Sequence, residues 1–201
     1  MRAALPSLSR DVAWFDRRRS LLDLPVLPVG DGRLSLSAQR YVIRAPLQRV
    51  FAEYLAAPPA EVWPVDRITF RFGVAPRSRE RIGPDARWPG LSVGTKLFAD
   101  LAVVPFGRLL RIMVGVVVTR IEPLFEIRYD YLEGAVTRGW NSMRFAALAD
   151  GHTRVDHVSH YRGTAVLHRA LMPLLQPVLH VGFVDGLHAN MKARLERGGA
   201  S

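Results

Sequence analysis

Asp150 and Gly151 stand between two alternating runs, "GWNSMRFAALA" (residues 139–149) and "HTRVDHVSHYR" (residues 152–162). Asp-Gly readily adopts the positive φ values of a tight two-residue turn, so this stretch is predicted to fold as an antiparallel hairpin. That feature constrains everything near it, because side chains on a strand alternate between faces with a period of two. Val155, His157, Ser159 and Tyr161 then share one face, and Arg154, Asp156, Val158 and His160 the other. The first set is expected inward, since the opposite register buries Arg154 and Asp156. His157 and His160 are three apart, a spacing that joins two ligands on a helix but separates them on a strand, so they cannot hold one metal ion together. Nor can Asp156 orient its neighbour His157, because such a pair must lie within hydrogen-bond reach.

Upstream, "RLSLSAQRYVIRA" reads as a strand and "PLQRVFAEYLAA" as a helix with Leu47, Val50, Phe51, Tyr54 and Leu55 on one face. Pro46 suits the first helical position, Pro58 and Pro59 end the helix, and "AEVWP" adds a turn. "DRITFRFGV", "GTKLFADLAVV", "RLLRIMVGVVVTRIE" and "LFEIRYDYLEG" follow as strands. Their short connections favour an antiparallel meander over βαβ crossovers.

The C-terminal region is predicted helical in two pieces, "TAVLHRALM" and "PVLHVGFVDGLHANMKARLERGG", interrupted at Pro173 and Pro177. The second piece is about 30 Å long at helical rise, enough to cross a sheet. Leu179, Phe183, Val184, Leu187, Met191 and Leu195 form its apolar arc, with His180 inside the arc and His188 at its edge. Gly182, Gly186, Ala189 and Ala193 make a strip of small residues, expected where the helix approaches the sheet most closely. Asp185, Lys192 and Glu196 are expected to face water.

With 201 residues and 49% hydrophobic content, the chain can build one substantial core. The expected division is an extension over residues 1–33, a domain over 34–197 and a tail over 198–201. The absence of cysteine excludes disulfides, thiolate nucleophiles and cysteine-ligated metals. There is no HExxH pattern and no glycine-rich phosphate loop, so no metal and no cofactor is expected. The N-terminal segment lacks the apolar centre of a signal peptide, and the expected compartment is the cytoplasm. The apolar stretch at residues 97–118 is broken by Asp100, Pro105, Gly107, Arg108 and Arg111, which favours strands over a membrane span. The net charge of +10 comes almost wholly from arginine, with Lys96 and Lys192 the two lysines. Peripheral contact with an anionic membrane fits such a surface. Nucleic acid is disfavoured, since the arginine-rich segment at residues 71–90 lacks interleaved aromatic platforms.

Strand, helix pair, a run of antiparallel strands and a long C-terminal helix: this order resembles the helix-grip fold of the START-like, polyketide cyclase/dehydrase superfamily. "WPGLSVGTKLFADL", "YDYLEG" and "GHTRVDHVSHYRG" carry the resemblance, which extends from about Leu34 to Glu196. It implies an α+β fold in which a curved antiparallel sheet of about six or seven strands wraps the C-terminal helix and encloses an apolar cavity. The long N-terminal extension and the arginine-rich insertion depart from the minimal pattern.

Within such a cavity, strand alternation points Phe125, Ile127, Tyr129 and Tyr131 inward, and Met143, Phe145 and Ala147 beside them. Ser159, His157, Tyr161, His180, Val184 and Leu187 complete the expected ligand-binding wall. An apolar, aromatic interior with a few hydroxyls and imidazoles suits a small hydrophobic ligand: a lipid, a polyketide-like aromatic or an isoprenoid. Carriage of that ligand is the leading expectation. The first alternative is a cyclase/dehydratase-type enzyme in which His157, Tyr161 or His180 moves protons. The second is a basic interaction module. Tyrosines on strands and a histidine on an apolar helix face also occur as ordinary core residues, held by one hydrogen bond.

Overall fold

The computed structural model describes residues 24–30, 32–64, 68–102, 111–135, 137–164 and 180–197. The first C-terminal helical piece, Leu179, most of the N-terminal extension and the tail lie outside them. Eight strands form one antiparallel sheet: β1 (Ser35–Ile43), β2 (Ile68–Val74), β3 (Arg81–Ile82), β4 (Lys96–Ala102), β5 (Arg111–Glu122), β6 (Glu126–Tyr131), β7 (Thr137–Ala147) and β8 (Thr153–Gly163). Their order is β1-β8-β7-β6-β5-β4-β2-β3. The strand beyond the six or seven expected is β3, two residues of the arginine-rich insertion that pair with Gly73 and Val74.

The Asp-Gly hairpin forms, but around a three-residue loop: Gly151 takes φ 79° while Asp150 does not take a positive φ, and Leu148 N bonds to His152 O (2.9 Å) and Gly151 N to Leu148 O (3.1 Å). β7 pairs with β8 from Thr137 opposite Gly163 to Ala147 opposite Thr153. Burial along β8 alternates residue by residue, with Val155, His157, Ser159 and Tyr161 inward. His160 lies on the other face, its ring centroid 4.1 Å from that of Trp140.

Among the described residues, three helices cover the inward face: α1 (Leu47–Ala56), α2 (Pro59–Val62) and α3 (Gly182–Arg197). Pro46 is extended and caps α1 rather than opening its first turn. α1 buries Val50, Phe51 and Tyr54, and α3 buries Val184, Leu187, His188, Met191 and Leu195. Of these, Val50, Phe51, Tyr54, Leu187, Met191 and Leu195 meet Ile127, Met143, Phe145 and Val155 of the sheet in one core. Phe51 and Tyr54 both set their rings edge-on to Phe145, at 5.2 and 5.1 Å between centroids.

The small-residue strip of α3 mostly faces solvent, with Gly186 alone half-buried. Gly182, Ala189 and Ala193 are exposed, and a Cβ built on Gly182 would touch nothing within 4 Å. At 100° per residue these positions lie opposite the arc centred on Met191, so bulky side chains rather than glycines set the helix-to-sheet distance. Asp185 is exposed but engaged, accepting a 2.5 Å hydrogen bond from the Tyr41 hydroxyl.

The outer face of the sheet carries a second core. Phe98 points away from its neighbours Leu97 and Ala99, and it stacks on Phe72 at 4.7 Å amid Val74, Met113, Val117 and Leu132. Gly115 stands opposite Phe98, where a Cβ would come within 2.9 Å of the ring. Leu24 covers this cluster. Its segment is held by backbone bonds from Leu27 to Tyr131 (2.8 Å) and from Glu133 to Pro25 (3.0 Å). Burial on both faces explains why β4 and β5 carry apolar residues at successive positions, as at Leu97–Ala99 and Val116–Val118. No helix among the described residues is long and apolar enough to cross a membrane.

Candidate functional site

Between the inward face and the helices lies a cavity of about 180 Å³. Its wall takes Leu97, Ala99, Asp100 and Leu101 from β4, and alternate residues from the next two strands, Val114 and Val116 from β5 and Tyr129 and Tyr131 from β6. β7 adds Asn141 and Met143, and β8 adds His157 and Tyr161. Tyr54, Trp63, Phe183, Leu187 and Met191 close it from the helical side, with His180 preceding α3.

Tyr129, Tyr131, Met143, His157, Tyr161, His180 and Leu187, all expected on the wall, are on it. Ile127, Phe145 and Val184 are instead buried in side-chain packing. Ser159 is fully buried, and its Oγ lies 2.8 Å from His180 Nε2. Phe125 departs from the expectation: it occupies the turn before β6 and is 47% exposed. The strand begins one residue later than its alternating pattern suggests, because the chain turns at Leu124 with φ 61°. Ala147, at the last position of β7, is exposed as well.

The polar centre is built on a residue that the sequence places only at the edge of the helix's apolar arc. His188, 1% exposed, joins α1 to β8: its Nδ1 is 2.6 Å from Tyr54 Oη and its Nε2 is 3.0 Å from His157 Nδ1. Tyr41 of β1 stacks on the His188 ring at 4.1 Å and shields it. Two signals could have pointed to this chain. A tyrosine on the apolar face of α1 needs a partner for its hydroxyl, and a histidine bordering a helix's apolar arc needs one for its ring.

Burial governs the protonation of this group. It pushes His180 down to about 4 and His188 down to about 3. His157, desolvated and beside the other two imidazoles, is held well below the ordinary range. Burial likewise raises the hydroxyls of Tyr54 and Tyr129. The three histidines are therefore neutral at pH 7. Asp100, the one carboxylate on the wall among the described residues, receives a 2.5 Å hydrogen bond from Arg71 Nε. Asn141 Oδ1 is buried without a hydrogen-bond partner. Among the described residues, no three His, Cys, Asp or Glu side chains are grouped to hold a metal ion.

An antiparallel sheet packed on a long C-terminal helix, with a cavity between them, is a helix-grip fold. Solved structures share it. Norcoclaurine synthase from Thalictrum flavum, a point mutant in complex with a transition-state analogue, superposes with a TM-score of 0.57 at 10% identity, over 85% of this chain and 99% of that one. Ginseng major latex-like protein 151 from Panax ginseng gives 0.54 at 12% identity, over 81% and 98%. Protein Ms6760 from Mycobacterium smegmatis gives 0.54 at 15% identity, over 85% and 97%. No protein-family model matches the chain, and no curated protein matches its sequence.

Proposed function

We propose that this protein binds a compact, uncharged and mainly apolar molecule inside the sheet-helix cavity. The observation that carries this reading is the cavity wall itself, about 180 Å³ bounded largely by aliphatic and aromatic side chains, whose imidazoles burial keeps neutral. That volume lies below the roughly 300–1,000 Å³ of sites for drug-sized ligands. It is close to the roughly 150 Å³ of an apolar cavity that accepts benzene. A molecule of one ring, or one ring with short substituents, fits better than a long-chain lipid or an extended isoprenoid. Asn141 Oδ1 supplies a hydrogen-bond acceptor for a ligand hydroxyl or N–H, and such a contact would relieve the cost of an unpaired buried oxygen, about 1–3 kcal/mol.

Native mass spectrometry of the freshly purified chain, followed by extraction, tests this. A bound small aromatic or alicyclic molecule is the expected result, together with a raised melting temperature on adding phenol or a similar single-ring compound. Exclusive recovery of long-chain lipids, with no response to single-ring compounds, would refute the size argument.

A further inference from the structure

We propose that Tyr54, His188 and His157 form a charge-neutral acid–base relay that shifts a proton between two carbons of an enolisable carbonyl ligand. The inference rests on the cavity taking an uncharged ligand. Its ground is the connectivity: Tyr54 and His157 both line the cavity, one from α1 and one from β8. His188, which is not part of the lining, bonds to both through its two ring nitrogens at 2.6 and 3.0 Å. A hydrogen-bonded chain with both ends on one cavity can deliver a proton at one end as it accepts one at the other. Tyr41 covers the middle of the chain, stacked 4.1 Å from the His188 ring. Since burial keeps both imidazoles neutral, the chain operates by switching tautomers rather than by storing an imidazolium.

The step balances without a co-reactant. At the start His188 Nδ1–H donates to Tyr54 Oη and His157 Nδ1–H donates to His188 Nε2, leaving the His157 Nε2 lone pair and the Tyr54 hydroxyl hydrogen for the ligand. A C–H bond next to the ligand carbonyl breaks, its proton goes to His157 Nε2, and its electron pair forms the enol C=C bond. The carbonyl π pair takes the Tyr54 proton. The hydrogens on His157 Nδ1 and His188 Nδ1 each move one place along the chain, to His188 Nε2 and Tyr54 Oη. No residue is left charged. In a β,γ-unsaturated ketone the resulting dienol takes the proton back from His157 Nε2 at its γ-carbon, the enol proton returns to Tyr54, and the chain resets. The product is the conjugated α,β-unsaturated isomer. His157 and Tyr54 are then catalytic residues and His188 a positioning residue that couples them.

The test uses the full chain and cyclohex-3-en-1-one, a single-ring β,γ-unsaturated ketone, with conjugated-enone absorbance as the rate readout and calorimetry for binding. The expected result is isomerisation above the buffer rate. His188→Gln, which lacks the two ring nitrogens that pass the proton, should lower kcat at least about tenfold with KM within about twofold, a loss confined to the transition state. Tyr54→Phe should do the same, and it keeps the test decisive if His188→Gln fails to fold. Binding without isomerisation overturns the relay and leaves the binding function standing. Full kcat in either folded variant also overturns the relay. Failure of the ketone to bind overturns the relay together with the cavity's proposed ligand class.

Discussion

His188 Nε2 lies 3.0 Å from His157 Nδ1, so a helix and a strand are tied together by two buried imidazoles. Both are held below the ordinary histidine value of 6.5, as is His180 nearby. The unfolded chain therefore binds more protons than the folded one once the pH drops below 6.5. Stability from these groups is fully present above that value and is lost as the pH falls toward about 4 and below, by up to about 1.4 kcal/mol per pH unit for each histidine. Urea midpoints should fall between pH 7 and pH 5, a range above the ordinary carboxylate values. His180→Gln should reduce that slope by one histidine's share. A midpoint independent of pH in this window would contradict neutral burial.

Tyr41 provides a sharper test of what shields His188. Its ring stacks on the imidazole, while its hydroxyl bonds outward to Asp185. Tyr41→Phe keeps the stack and should cost about 1 kcal/mol or less, the usual net worth of one hydrogen bond. Tyr41→Ala should raise the His188 titration from about 3 toward the ordinary value, because removing the ring admits water. Histidine chemical shifts followed against pH would separate the two variants.

The hairpin and its facing were legible because local chemistry decides them: Asp150 and Gly151 make the turn, and a period of two assigns the faces of Val155, His157 and Ser159. The Tyr54–His188–His157 chain was not, because it links residues 134 and 31 positions apart and only the closed fold makes them neighbours. Phe125 was misplaced for a related reason. Alternation runs on through the turn at Leu124, and nothing in the pattern marks where pairing starts. The Gly and Ala strip of α3 failed differently, since small residues permit close approach without requiring it.

Phe98 shows that burial on the outer face is structural. It is fully buried beside Phe72 and Leu132, although its neighbours in sequence face the cavity. Phe98→Ala should therefore cost about 3–5 kcal/mol, as for an aromatic removed from any close-packed core. Phe125→Ala, at an exposed turn position, should cost about 0.5 kcal/mol or less. Equal small losses in denaturant unfolding would mean that the outer cluster is not a core.

Two alanines separate cavity occupancy from mere position on an inward-facing pattern. Ala99 is buried on the cavity wall, whereas Ala147 shares the strand face of Met143 and Phe145 but is exposed at the strand end. Ala99→Leu adds three carbons to a wall enclosing about 180 Å³, so the added atoms occupy space that a single ring would need. Ligand affinity should fall more than about tenfold, or about 1.4 kcal/mol, even where the folded state accommodates the larger side chain. Ala147→Trp is much the bulkier change, yet it projects outside the cavity and should leave affinity within about twofold. Calorimetric titration with phenol, on variants whose melting shows them folded, measures both. A larger loss from Ala147→Trp than from Ala99→Leu would move the ligand out of this cavity.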